Sequence, residues 1–60
     1  RLALDAALAT LSADERDVLE LRYGQGLAVG EIAMVMERSR FAVRRLEQKA
    51  LATLKQEWEG

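Results

Sequence analysis

Apolar residues recur along this chain at intervals of three and four positions, the spacing that places side chains on one face of an α-helix. The pattern predicts four helices, over residues 2–11, 13–23, 29–36 and 40–57. Half of the residues are apolar and none is proline, and this composition also favours helices over strands. The predicted fold class is therefore all-α, with residues 1–60 forming one small four-helix domain.

Residues at the ends of the predicted helices are of the types that start and stop helices. Ser12 followed by Glu15 is a capping box, in which both side chains accept hydrogen bonds from free backbone N–H groups. Residues 24–27 form a turn, because two of them are glycines, which adopt the positive φ angles that reverse a chain. Ser39 is placed to cap the fourth helix, whereas Gly30 weakens the interior of the third.

The residue inventory excludes several functions. The chain has no cysteine and no histidine, so a zinc finger, thiol chemistry and imidazole catalysis are excluded. The remaining residues assemble no nucleophile with a base and no phosphate-binding loop, and we expect no enzyme activity, metal or cofactor. The apolar runs are shorter than the roughly 20 residues of a membrane span, and the start lacks a signal-peptide core. We expect a cytoplasmic domain, and a start at Arg1 without methionine suggests a fragment of a longer chain.

Charge is divided unevenly along the chain, although its net value is only -1. Residues 1–31 contain three arginines against six acidic residues, whereas residues 32–60 contain six basic residues against four acidic ones. Within residues 38–49, Glu47 is the only acidic residue. Five basic residues accompany it there, namely Arg38, Arg40, Arg44, Arg45 and Lys49. The start of the fourth predicted helix is therefore a local basic patch.

The fourth predicted helix has two faces of different chemistry. Its apolar face consists of Val43, Leu46, Ala50 and Leu54, which we expect to face the core. The opposite face consists of Phe41, Arg44, Arg45 and Gln48, with Arg40 and Lys49 on its flanks. In the major groove, arginine pairs with guanine edges, glutamine pairs with adenine, and an aromatic ring contacts the thymine methyl group. This face has the composition of a DNA-reading surface.

The third and fourth predicted helices, joined by about three residues, match the helix-turn-helix plan, which inserts its second helix into the major groove. The competing interpretation is a solvated helix face that carries charge for solubility alone. A large aromatic such as Phe41 on that face and the scarcity of acidic residues favour DNA binding.

Two groups of residues together form a family pattern. The first group is residues 11–23 (LSADERDVLELRY), Gly26-Leu27 and Glu31-Ile32-Ala33. The second is Ser39, Val43, Arg44, Leu46, Lys49-Ala50-Leu51 and Leu54. In order and spacing, these residues resemble region 4 of the sigma-70 family of bacterial RNA polymerase sigma factors. The Glu-Ile-Ala signature also occurs in LuxR-type response-regulator domains, which therefore stay an alternative.

The resemblance implies promoter DNA as the ligand, read at the minus 35 element. By position, Arg40, Phe41, Arg44 and Arg45 would read bases, while Arg38 and Lys49 would hold phosphates. Ser39 and Gln48 complete the predicted DNA-binding set.

The resemblance also implies protein partners. The first two helices would hold the β-flap of the RNA polymerase core, in competition with anti-sigma factors or transcriptional activators. Leu4, Leu8 and Val18 are candidates for that groove, with ordinary core packing as the alternative for each. Trp58 is either an aromatic anchor for a partner or a seal over the first helix. A protein-interaction module is accordingly a second hypothesis.

The chain departs from the family pattern at two positions. Ala28 stands where a capping Ser or Thr is common, a deficit of about 1 kcal/mol for the third helix. Glu37 stands where the turn usually has glycine, so we expect a left-handed residue held at some cost, or a differently shaped turn.

Overall fold

The structure, a computed structural model, describes the backbone of residues 9–59 and the side chains of residues 9–56. Helix α1 is Ala13–Leu19 and runs directly into a π-helical turn, Glu20–Gly24. Helix α2 is Val29–Met36 and helix α3 is Arg40–Glu59. Every regular element of the described part is helical, which confirms the all-α class.

The first predicted helix lies mostly outside the described residues. Of its last three residues, which are described, residues 9 and 10 are helical and Leu11 lies in a bend after them. Leu4 and Leu8 lie outside the described residues, as does the side chain of Trp58. The count of four helices and the partner roles of these three residues therefore stay predictions.

The capping box at the start of α1 is confirmed. The Glu15 N–H donates to Ser12 Oγ at 3.2 Å, and the Ser12 N–H donates to Glu15 Oε1 at 2.8 Å. Both donors would otherwise lack an intrahelical partner, and the cap is worth about 1 kcal/mol.

The second predicted helix does not stay α-helical to Tyr23, as the spacing suggested. From Glu20 the backbone widens into the π-helical turn, and the Gln25 N–H donates to the Glu20 carbonyl at 2.9 Å. The chain then reverses at Gly26, whose φ of 73° suits glycine. Hydrophobic periodicity cannot distinguish a terminal π turn from α-helix, because the two differ by one residue in a single turn.

The core lies where the three described helices meet. Val18, Ile32 and Val43 have no exposed surface, and Ala33 is nearly buried beside them. The predicted apolar face of the last helix is confirmed: Val43 and Ala50 are fully buried, and Leu46 and Leu54 are partly buried.

The burial of Val18 decides between its two interpretations. A side chain without exposed surface cannot touch a partner while the domain is packed this way. Val18 therefore belongs to the core, and its predicted contact with the β-flap is withdrawn.

Candidate nucleic-acid interface

Helices α2 and α3 are joined by three residues, and the first of these holds the turn. Glu37 is left-handed, with φ 56° and ψ 48°. Its N–H donates to the Met34 carbonyl at 3.3 Å, and the Arg38 N–H donates to the Ala33 carbonyl at 2.9 Å. These two bonds form a Schellman motif, which ends α2. Of the two expectations for position 37, a left-handed residue or a differently shaped turn, the left-handed residue is thus confirmed.

Ser39 starts α3 in the predicted way. Its Oγ accepts a hydrogen bond from the Ala42 N–H at 3.0 Å, and its carbonyl accepts one from the Val43 N–H at 3.0 Å. The cap fixes the first turn of α3 directly behind the α2–α3 turn. The exposed hydroxyl hydrogen of Ser39 remains able to donate outward.

The start of α2 lacks the equivalent cap, as expected. Ala28 is its N-cap residue and has no side-chain acceptor, so only the reciprocal bond forms, from the Ala28 N–H to Glu31 Oε1 at 2.7 Å. Half of a capping box is present.

One face of α3 is exposed and basic, as the sequence predicted. We call it the recognition face, and it comprises Phe41, Arg44, Arg45, Gln48 and Lys49, all of them exposed. Phe41, the only phenylalanine of the chain, has 70% of its surface exposed. Val43 and Ala50, on the opposite side, are fully buried. The helix therefore packs by its aliphatic side and leaves the arginines outward.

Phe41 and Arg45 interact within this face. The guanidinium carbon of Arg45 lies 5.9 Å from the centre of the Phe41 ring. A cation–π contact of this kind at an exposed site contributes about 0.5–1 kcal/mol. These two residues also line an open groove along α3, together with Gln48 and Lys49. The contact restricts the Arg45 side chain before any ligand is bound.

Arg38 is exposed, but its guanidinium already forms an ion pair within the domain. Its Nη2 lies 2.6 Å from Asp14 Oδ2 in a hydrogen-bonded ion pair. The pair joins the α2–α3 turn to α1, and exposed pairs of this type contribute about 0–1 kcal/mol. A phosphate contact by Arg38 would therefore compete with, or share donors with, the Asp14 carboxylate.

Arg40 does not extend along the recognition face. Its guanidinium lies over Gly30 of α2, with Nε and Nη2 both 3.3 Å from the position that a Cβ on Gly30 would occupy. The head group of Arg40, which is the first residue of α3, thus lies against the other helix of the motif, and its predicted role in DNA binding stays a prediction.

Glu47, the only acidic residue in the basic stretch, is turned away from solvent. Its Oε2 accepts a hydrogen bond from the Tyr23 hydroxyl at 2.7 Å and lies 3.5 Å from Arg22 Nε. Arg22 also donates to the Leu27 carbonyl at 3.1 Å. Among the described side chains, no carboxylate forms an ion pair with the basic residues of the recognition face.

The same contact changes the acidity of Tyr23. The hydrogen bond to Glu47 raises the pKa of the Tyr23 phenol above its usual 10.0, with desolvation and the negative charge of Glu47 acting in the same direction. Arg22 opposes this rise. This cluster could not be predicted from the sequence, because Glu47 lies 24 positions from Tyr23 and no local spacing signals their contact.

A second surface lies between α1 and α2 and differs in chemistry. We call it the acidic groove, and it is lined by Asp14, Asp17, Glu20, Leu21, Val35, Met36 and Arg38. Val35 is 60% exposed there. An apolar floor with a mainly acidic rim suits a basic and apolar partner rather than DNA.

No helix among the described residues has both the length and the apolar character needed to cross a bilayer.

A short helix, a tight turn and a second helix with a basic outward face together define a helix-turn-helix DNA-binding domain. The chain matches the family Sigma-70, region 4, over residues 7–56. Because this match covers most of the chain, the protein belongs to that family. This decides between the sigma-factor resemblance and the LuxR-type alternative. No curated protein and no solved structure matches the chain.

Proposed function

We propose that the recognition face binds the minus 35 promoter element in the major groove and so directs transcription initiation. The observation that supports this most strongly is the outward basic face of α3 combined with the removal of Glu47 from it. Membership of the region 4 family places DNA and RNA polymerase among the ligands in general. Such a domain would work beside the chromosome, in the bacterial cytoplasm.

Each residue of the face has a role in this proposal. Arg44 and Arg45 donate paired hydrogen bonds to guanine edges, Gln48 pairs with adenine, and Phe41 contacts a thymine methyl group. The cation–π contact keeps Arg45 beside the Phe41 ring. Neighbouring bases would therefore be read by a preformed pair of side chains.

Lys49 of this face and two residues beside the face position the domain on the DNA backbone. Lys49 and Arg38 bind phosphates, and the Ser39 hydroxyl donates to a third phosphate oxygen. Arg38 makes this contact with the N–H donors that its ion pair with Asp14 leaves unused. Phosphate contacts add affinity for any sequence and make that affinity dependent on salt.

A gel-shift assay with a minus 35 duplex tests the proposal. Arg44→Ala and Arg45→Ala should each weaken binding by roughly 5- to 150-fold, which corresponds to about 1–3 kcal/mol per arginine–guanine pair. Lys49→Ala should weaken binding to all sequences alike and lower the salt dependence by about one counterion.

Arg16→Ala is the matched control, because Arg16 is an exposed arginine on α1, away from the recognition face. It removes the same charge and should leave affinity nearly unchanged. If Arg44→Ala and Arg45→Ala behave like Arg16→Ala, in affinity and in its salt dependence, the recognition face is wrongly assigned.

A second candidate function is docking of a protein partner in the acidic groove, favoured by the exposed Val35 between carboxylates. We propose the β-flap of RNA polymerase as its occupant, in competition with anti-sigma factors or activators. Val35→Asp and Asp17→Lys should then reduce retention of polymerase core in a pull-down while DNA binding persists. Arg44→Ala is the converse control, which should lose DNA and keep polymerase. Unchanged retention by both groove variants would refute this docking site.

A further inference from the structure

Gly30 occupies a helix position that would ordinarily favour another residue. It is the second residue of α2, and its φ does not lie in the positive range that calls for glycine. Glycine is a poorer helix former than alanine, by about 1 kcal/mol in a helix interior and by less in the first turn. The backbone conformation therefore gives no reason for glycine at this position.

The neighbouring side chain provides a reason. A Cβ at Gly30 would lie 3.3 Å from both Nε and Nη2 of Arg40 and 3.5 Å from its Cζ. The first two distances are tighter than ordinary van der Waals contact, so an alanine methyl would displace the guanidinium by a few tenths of an ångström. Because Gly30 has no side chain, space is left above its Cα for the Arg40 guanidinium. We call this space the seat.

Electrostatics within the domain do not explain this position of Arg40. Arg40 is the first residue of α3, and Gly30 lies in the first turn of α2, so both helix dipoles disfavour a cation here. Within residues 9–56, the Arg40 guanidinium takes part in no salt bridge or hydrogen bond with another side chain. Its five N–H donors are consequently available to an external acceptor.

We propose that Gly30 is a positioning residue. Because it has no side chain, the Arg40 guanidinium can lie between α2 and α3, in the orientation that contacts DNA. This inference rests on the proposed DNA-binding function and adds a residue to it. Gly30 itself need not touch DNA. The seat holds whether the Arg40 donors reach a base edge or a phosphate.

The proposal has a signature that a purely structural role lacks. Gly30→Ala should raise the thermal midpoint of unfolding, because alanine is the better helix former and the obstructing group is the end of a flexible side chain. The same change should weaken DNA binding, because it moves Arg40. Stability and affinity would therefore change in opposite directions.

A double-mutant cycle on DNA affinity tests the coupling between the two residues. Gly30→Ala should weaken binding of a minus 35 duplex about threefold or more when Arg40 is present, and should have no further effect in the Arg40→Ala background. Equal effects in both backgrounds, or no effect of Gly30→Ala, would overturn the proposal. So would an Arg40→Ala variant that binds as tightly as the parent.

Ala28→Ser is the matched control, because it strengthens the same end of α2 and leaves Gly30 unchanged. Its effect on affinity should be equal in the two Arg40 backgrounds. A readout without DNA completes the test: the Arg40 Nε–Hε resonance should shift in Gly30→Ala and stay in place in Ala28→Ser. An unmoved resonance in Gly30→Ala would show that the seat does not exist.

Failure of this inference is distinguishable from failure of the proposed function. If affinity depends on Arg44 and Arg45 but the cycle shows no coupling, the seat alone is wrong. If affinity depends on none of Arg40, Arg44 and Arg45, the DNA-binding role of α3 is wrong as a whole.

Discussion

The Tyr23 hydroxyl donates a hydrogen bond to Glu47 Oε2 at 2.7 Å, across 24 positions of the sequence. The contact joins the end of the π-helical turn to the middle of α3. Glu47 leaves the helix on the side that faces this turn, away from the recognition face, and the hydrogen bond pairs its carboxylate there. One hydrogen bond therefore connects α3 to the preceding element and gives a partner to the acidic residue of the basic stretch.

This contact should give the domain a pH dependence at high pH. The pKa of Tyr23 is raised in the folded protein, mainly by the hydrogen bond to Glu47. Its stabilising contribution is then fully present below the unfolded pKa of about 10, and it is lost as the pH rises through the raised folded value. Urea unfolding between pH 8 and 11, roughly the range of tyrosine ionisation, measures the effect.

Tyr23→Phe is the control for that measurement. The variant should be less stable than the parent at neutral pH, and the difference should shrink as the phenol ionises. Parallel curves for the two proteins across the whole range would show that the hydrogen bond contributes nothing to folding.

The uncapped start of α2 offers a stabilising substitution. Ala28→Ser supplies the missing acceptor for an N–H in the first turn, opposite the bond already formed from the Ala28 N–H to Glu31. We expect a gain of about 1 kcal/mol in the free energy of unfolding. Ser12→Ala, at the intact capping box of α1, should lose about the same amount. A gain from Ala28→Ser smaller than experimental error would show that α2 is already satisfied by solvent.

Glu37 is expected to be strained. A left-handed residue other than glycine costs roughly 1–2 kcal/mol, part of which Glu37→Gly recovers after the greater unfolded-state entropy of glycine is subtracted. The net gain should be about 0.5–1 kcal/mol in denaturant unfolding. Glu37→Ala removes the same side chain without freeing the backbone, so it should not stabilise. If the two variants are equally stable, the turn is unstrained.

Much of the fold could be predicted because its signals are local. The Ser12 capping box, the glycine turn and the apolar face around Val43 each depend on spacings of three or four residues within one helix. The position of Phe41 on the exposed face of its helix could be predicted from the same periodicity. Those features do not require knowledge of which helices touch.

The remaining features depend on contacts between helices, which a single sequence does not specify. Arg38 meets Asp14, and Arg40 lies over Gly30, only because α2 and α3 pack as they do. Gly30 was interpreted as a weakness of its helix, and the arginine side chain that lies over it could not be predicted from spacings within that helix. Val18 was ambiguous for the same reason, since an apolar position in a helix can face the core or a partner.

The most direct test of the account is the ratio of two affinities, for a minus 35 duplex and for a scrambled duplex of equal length. We expect this ratio to fall at least about tenfold in the Arg44→Ala, Arg45→Ala double variant, because two guanine contacts would be lost. Arg16→Ala, which removes one positive charge from another helix, should preserve the ratio, because any loss that is due to charge alone weakens binding to both duplexes alike. A ratio unchanged in the double variant would contradict the claim that the outward face of α3 reads promoter sequence.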